Sequence, residues 1–397
     1  MNLKELRECF PLLKQDITYF DNAATTPTCK ACIDLTKDYY EKDCFNIHRG
    51  GYKGSLRSES RIDEGRILVK DFINAESKKE IIFTSGATES LNLIATSLFS
   101  SMDFQGKNIV TTEIEHHSNY IPWLMGETEL RVASCEIDGS LKTKKVLNLI
   151  NNNTVLVTIS ACSNVTGDFI DLKEIIEKAH YEGAFVIVDA SQFIAHKKLD
   201  VQEIDCDFAV FSAHKIYGPT GEGVLYGKAE IMDSLNPPKF GGDMVSNVMK
   251  QEWLTLPSKF EAGTLNLAGI VGMAGSIQWL NNQDFKSLEE RERNLKSYLF
   301  DEMSKIDGLK MFSRKENSAP IVSFSMEGIN SNDIAMFLAT KDICVRSGKL
   351  CAQGLLTRLN KEGLVRVSLA FYNSEEEIDF LISSLKQIKE RMTKWKL

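Results

Sequence analysis

Between residues 80 and 227 the chain repeats one rhythm: a short apolar run, then a polar turn or an amphipathic helical pattern, then another apolar run. EIIFT (80–84) leads into ESLNLIATSLF, NIVTTE (108–113) into a polar loop, and TVLVTIS (154–160) into DLKEIIEKAHYEG. AFVIVDA (184–190), DFAVFSA (207–213) and GVLYG (223–227) follow. Successive side chains of a strand point to opposite faces, so a run such as AFVIV needs cover on both. The rhythm therefore constrains this stretch to an α/β fold with a mainly parallel central sheet under helices on both sides.

After about residue 260 the texture changes. FKSLEERERNLKSYLFDEMSKI (285–306) predicts a long, charge-laced helix with one buried stripe. PIVSFSM, DIAMFLATKD, LVRVSLA and EEEIDFLISSLKQIKERM then predict a smaller α+β unit. We expect residues 15–260 to form a large α/β domain, with 1–14 and 261–397 forming the smaller one. A chain of 397 residues can bury cores in both.

Composition narrows the function classes. Lys and Arg number 47 against 55 Asp and Glu, a net charge of −8, which argues against a nucleic-acid footprint. No run approaches the roughly 18 apolar residues of a membrane span. The start, MNLKELRECFPLLKQD, lacks the apolar segment of a secretory signal. The expectation is a cytoplasmic protein with no nucleic-acid or membrane partner. The nine cysteines are odd in number and scattered, so they do not form a disulfide framework. Cys29 and Cys32 make one C-x-x-C with no second pair, which reads as packing rather than a metal site. Phosphate-loop, dinucleotide and zinc-protease motifs are absent.

Chemistry-bearing residues fall at the ends of the apolar runs. Lys215, with Ser212 and His214, follows DFAVFSA and opens a glycine-rich turn, SAHKIYGPTGEG. Ligands of open α/β sheets bind there, and a desolvated lysine there can form a Schiff base; a surface lysine is the plainer alternative. Asp189 ends AFVIVD. A buried carboxylate needs a cation, and the ring nitrogen of pyridoxal phosphate (PLP) is one; a helix cap or a metal ligand would also explain it. Ser85-Gly86-Ala87-Thr88 joins a strand to a helix, as a phosphate cradle does, or as a simple capping box does. His116 and His117 follow another strand. An imidazole can stack on a cofactor ring or move protons, and of two neighbours on extended backbone one at most faces a site.

These segments also carry a family resemblance. YFDNAATTP (19–27), NIHRG (46–50), FTSGATES (83–90), EIEHHSN (113–119), SNVTGD (163–168), VDASQ (188–192), SAHKIYGPTG (212–221), FEAGTLN (260–266) and VRSGKLCAQ (345–353) occur in the order seen in PLP-dependent class V aminotransferase-fold proteins. The chain most resembles the cysteine desulfurases, in the SufS-like (group II) branch shared with selenocysteine lyases. The match runs from about Tyr19 to about Leu385. It implies PLP-dependent transferase fold type I.

The resemblance implies the following roles. Lys215 holds PLP, Asp189 pairs with its ring nitrogen, Gln192 meets its phenolic oxygen and His116 stacks on the ring. Ala87, Thr88, Ser212 and His214 bind the phosphate, and Thr264 reaches the phosphate of a neighbouring subunit in a homodimer. Asn164 and Arg366 hold the substrate carboxylate, and His48 and Arg49 line the substrate channel. The implied reaction converts L-cysteine to L-alanine: Lys215 takes the Cα proton and the Cys351 thiolate takes the sulfur as a persulfide. A sulfur-acceptor protein follows, for iron–sulfur assembly or thiolation. The alternatives are a selenocysteine lyase or another class V PLP enzyme: an aminotransferase, epimerase or lyase.

Cys351 sits in RSGKLCAQG. The glycines suggest a loop that swings toward substrate, and Arg346 and Lys349 would favour the thiolate. Three positions depart from the family's usual pattern. Ala213 stands where Gly is common, Lys349-Leu350 where the branch has a His pair, and Gly354 where Pro is common.

Overall fold

A computed structural model describes residues 2–395. Seven strands form the central sheet: β1 (Ile81–Thr84), β2 (Asn108–Thr112), β3 (Glu129–Ala133), β4 (Thr154–Ser160), β5 (Phe185–Asp189), β6 (Phe208–Ser212) and β7 (Gly223–Gly227). Their spatial order is β1-β7-β6-β5-β4-β2-β3. The neighbours from β6 to β3 pair in parallel, whereas β7 runs antiparallel to both β6 and β1.

The unbroken apolar runs have the expected cause. Val186, Val188, Ala209, Phe211 and Val224 enter one core, beneath helices that contribute Val69, Ile175 and Ile270. Ile187, Phe208, Val210 and Leu225 enter the opposite core, under the helix Ala87–Ser101 with its Leu91, Ile94 and Leu98. Alternate residues of one strand thus feed two cores. Strand β3 has no such signature. It is an edge strand in which only Ala133 is buried, so ELRVA does not stand out as a strand in the sequence.

The smaller unit is an antiparallel sheet in the order Leu309–Met311, Ile321–Met326, Leu364–Ser368, Arg346–Gly348. Helices Phe285–Ser304, Ser331–Ala339 and Glu375–Trp395 cover it, through Leu295, Leu299, Leu338, Ile378 and Leu381 among others. In the first of these helices the buried stripe includes Glu292 and Lys296. Glu292 is bound by His196 Nδ1 at 2.8 Å, and Lys296 donates to Ser318 Oγ.

Packing does not follow the expected division at 260/261. The helix Leu267–Asn281 is buried along almost its whole length and joins the large core. Gly272 and Gly275 let it approach its neighbours closely: a Cβ on Gly272 would lie 2.5 Å from Thr36 Oγ1, and one on Gly275 would lie 2.9 Å from Ala31 O. The change of core comes within the next helix, Phe285–Ser304, between Leu288 and Leu295. The described part of the expected N-terminal segment, residues 2–14, also joins the large core, through Leu6, Phe10 and Leu13. Thr18–Tyr19 pairs in parallel with Ile343–Cys344, so the start of the expected large domain stitches the two units together.

Candidate active site

The carboxyl ends of β1, β2, β4, β5 and β6 converge on a cavity of about 360 Å³, which Leu350, Cys351 and Arg366 of the smaller unit also line. The parallel order puts these ends at one edge, where open α/β sheets carry their ligands. Ala87, Thr88, His116, Asn164, Asp189, Gln192, Ser212, His214, Lys215, Cys351 and Arg366 all line it.

Lys215 sits on the short turn Ala213–Lys215 that follows β6. Its Nζ donates to Ala23 O and, at 2.9 Å, to Ala24 O. Burial disfavours the ammonium, and the Arg366 charge adds to this, so the Lys215 pKa falls to about 7. A lysine in this state is a nucleophile at neutral pH. Its neighbour His214 is pushed down to about 4 by burial and by the Lys215 charge, so it is a neutral hydrogen-bonding group. Asp189 ends β5; one carboxylate oxygen accepts from Ser191 N–H at 2.9 Å. His116 accepts from Ser118 N–H on Nδ1 at 3.2 Å, which leaves the ring's proton for Nε2, and burial lowers its pKa.

Beside His116 lies a group absent from the sequence reading. Glu115 is buried and accepts from Thr112 Oγ1 (2.6 Å), Asn119 Nδ2 (2.6 Å) and Ser160 Oγ (2.5 Å). Burial raises its pKa to about 7 in spite of these donors. The network pins the His116 segment to β4, whose last residue, Ser160, lines the cavity and pairs with Asp189.

Arg366 is buried on the strand Leu364–Ser368, and burial brings its pKa down to about 10. One guanidinium nitrogen donates to Asn164 O at 2.9 Å; another lies 3.5 Å from Asp21 Oδ1. Asp21 also holds Arg346 at 2.6 Å, so one carboxylate bridges two arginines at the cavity. Arg346 is thus held by Asp21 at the cavity that Cys351 also lines, and its charge interacts favourably with that thiol. Arg366 Nε and Asn164 Oδ1 are buried without a partner. Each such group costs about 1–3 kcal/mol unless something binds it, and a carboxylate would satisfy the arginine.

The Cys351 segment is not the free glycine hinge expected. Gly348 does adopt a positive φ of 98°, but Leu350 and Cys351 both take φ 53°, a left-handed conformation that costs a non-glycine residue on the order of 1 kcal/mol. Contacts with the large unit hold it. Asn164 Nδ2 donates to Leu350 O at 2.8 Å, and Leu350 is buried in a cluster with Ile114 and Leu355. Lys349 is exposed and does not line the cavity.

The chain matches the model for class-V aminotransferases over residues 18–381. It belongs to the class-V aminotransferase family. Its relatives in the family include a probable cysteine desulfurase of Staphylococcus aureus, 38% identical over 98% of this chain and 97% of that one. Another is a probable cysteine desulfurase of Halalkalibacterium halodurans, 38% identical over 98% of each. Among solved structures the chain is similar to the cysteine desulfurase CsdA of Escherichia coli, with a TM-score of 0.91 and 33% identity over 98% of this chain and 99% of that one. It is also similar to a cysteine desulfurase of Thermococcus onnurineus NA1 in its apo form, with a TM-score of 0.92 and 32% identity over 97% of each. The fold is thus PLP-dependent transferase fold type I, as expected.

Class-V aminotransferases depend on PLP. The cavity's residues fit that group. It offers a depressed-pKa lysine, a buried carboxylate across the sheet, and the N-terminus of the 15-residue helix Ala87–Ser101. The cradle at that helix start is made by two backbones in close approach. A Cβ on Gly223 would lie 2.4 Å from Gly86 Cα, so only glycine fits. Ala87 N–H donates to Ser212 Oγ at 2.8 Å, joining the cradle to the end of β6. Gly223→Ala is expected to lower stability by at least about 2 kcal/mol, as measured by urea unfolding.

Thr264, His48 and Arg49 do not line this cavity. His48 lines a separate cleft with Gly263 and Leu265, and Arg49 lies 3.8 Å from Asp243. Thr264 is exposed. Among the described residues no helix is long and apolar enough to cross a membrane, and no cluster could hold a metal ion.

Proposed function

We propose that this protein is a cysteine desulfurase, which converts L-cysteine to L-alanine and keeps the sulfur as a persulfide on Cys351. The observation that carries this is the placement of one exposed thiol, Cys351, on the same cavity as the low-pKa Lys215 and the buried Arg366. An aminotransferase or epimerase has no use for that thiol.

In this reading Lys215 is the covalent anchor of PLP, Asp189 faces its ring nitrogen, Gln192 its phenolic oxygen and His116 its ring face. Ala87, Thr88, Ser212 and His214 hold the phosphate. PLP, when bound, supplies an electron sink for the pair left at the substrate Cα. Arg366 binds the substrate carboxylate through its unpartnered Nε, with Asn164 beside it. Lys215, half neutral near pH 7, takes the Cα proton and can return one to carbon. The Cys351 thiolate attacks the substrate sulfur. A sulfur–sulfur bond forms, the substrate's Cβ–S bond breaks, its electron pair stays with carbon, and protonation there yields alanine. The persulfide on Cys351, at the exposed rim, then passes to a sulfur-acceptor protein.

Thr264, His48 and Arg49 serve the cavity of a second copy in a homodimer. Their clustering away from this chain's own cavity supports that reading. The nine cysteines are all unpaired, which suits a reducing compartment such as the cytoplasm.

Incubation of the PLP-loaded protein with L-cysteine is expected to yield alanine and protein-bound persulfide in equal amounts in the first turnover. No alanine would refute the proposal. Arg366→Lys keeps a charge but loses the planar fork. It is expected to lower kcat/KM for L-cysteine by roughly 10- to 100-fold, mostly through KM.

A further inference from the structure

The segment that carries Cys351 lacks the glycines its backbone conformation favours at positions 350 and 351. Something must hold two successive left-handed residues in register. The helix that follows, Gln353–Arg358, also has no side-chain cap from its own N-cap residue, Ala352. One residue of the large unit answers both needs. His117 donates its main-chain N–H to Cys351 O at 2.7 Å, and its ring Nε2 accepts the main-chain N–H of Gln353 at 3.1 Å. The two bonds hold the chain immediately after Cys351, at its own carbonyl and at the N–H of Gln353. The ring nitrogen does the work that a Ser or Asp oxygen does at an ordinary helix start. Because it accepts from a main-chain N–H, Nε2 carries no proton in this arrangement.

The neighbours make this arrangement specific. His116, one residue earlier, lines the cavity, whereas His117 turns to the smaller unit. Leu350 is anchored on the other flank, its carbonyl held by Asn164 and its side chain in an apolar cluster. The thiol of Cys351 is thus suspended between two anchored residues.

We propose that His117 is the positioning residue of the Cys351 thiol: it fixes the cysteine loop at the cavity rim through its backbone donor and its ring acceptor. The proposal takes from the desulfurase reading what Cys351 does, but not where it is held. His117 does not line the cavity, so its loss is expected to leave proton removal at Cα intact and to slow the sulfur step.

The test compares His117→Leu, which lacks the acceptor, with His117→Gln, whose amide oxygen can stand where Nε2 stood. Both are made in the full PLP-loaded protein. Three quantities are measured: the single-turnover rate of persulfide formation from L-cysteine, Cα–H exchange of L-alanine in D2O, and amide exchange of the peptide spanning 349–355 by mass spectrometry. The leucine variant is expected to form persulfide about tenfold more slowly. Its loop amides should exchange about threefold to tenfold faster. The glutamine variant should restore both towards wild type, and Cα–H exchange should be unchanged in either. Wild-type persulfide rates in the leucine variant would overturn the proposal. So would a glutamine variant as slow as leucine, or a matching fall in Cα–H exchange, which would place the defect at His116. If wild type forms no persulfide, the desulfurase reading fails, and amide exchange alone decides on His117: unchanged loop protection in the leucine variant overturns its role.

Discussion

The Lys215→Ala protein is expected to release alanine from L-cysteine at least about 10³-fold more slowly than wild type, and to retain no covalently attached PLP. Both losses follow from the same amine. It is the cavity's lysine, and its environment is built to keep it partly neutral: burial first, then the Arg366 charge. The sign of the pH dependence follows. With a pKa near 7, about a tenth of the amine is neutral at pH 6 and about nine-tenths at pH 8. Attachment of added PLP to the cofactor-stripped wild type should therefore speed up through neutrality and level off above pH 8. The alanine variant should show no such phase in its absorbance. A variant that still carried PLP covalently would disprove the assignment of Lys215. Added methylamine should recover part of the proton-transfer rate, since the missing group is a small amine.

Cys351→Ala is expected to form no persulfide and to produce alanine from L-cysteine below about 10⁻³ of the wild-type rate. Cα–H exchange of L-alanine should persist, because that step uses Lys215 and not the thiol. Cys162 lines the same cavity and is the evident rival. It is fully buried, donates to Gly167 O at 3.4 Å, and burial holds its thiol far above the ordinary range. It has little thiolate to offer. Full activity in Cys351→Ala would transfer the role to another thiol, and a Cys162→Ser variant would then identify it.

Much of this site was legible in the chain because parallel sheets collect their strand ends at one edge. Asp189, Lys215 and the Gly86-Ala87-Thr88 turn each follow an apolar run, so sequence position alone predicted their convergence. What could not be read depends on contacts between distant segments. Asp21 lies in the quoted YFDNAATTP, yet its bridge to Arg346 and Arg366 exists only once Thr18–Tyr19 pairs with Ile343–Cys344. Glu115 looks like an ordinary loop carboxylate; its burial comes from β4 and from the turn that holds Asn119. A change in composition, such as the one near residue 260, does not by itself say where one core ends. A helix of small and apolar residues can be an internal strut of the preceding core as easily as the start of a new one, and Gly272 and Gly275 decide it by letting backbones touch. The swinging loop was inferred from glycines, but the residues that fix its shape are Leu350, Cys351 and a histidine more than 230 positions away.

The reversal of β7 has a consequence for how the protein assembles. Every parallel neighbour in the sheet must wait for a crossover before it can pair. The segment from Phe208 to Gly227 needs none: β6 and β7 meet as a hairpin, with Ser212 opposite Gly223. The connection between them carries His214 and Lys215. Closing so short a loop carries a small entropy penalty, and local pairings form ahead of distant ones. Lys215 therefore stands in the most locally determined corner of the sheet, able to take its shape before Asp189 and Arg366 are brought to face it.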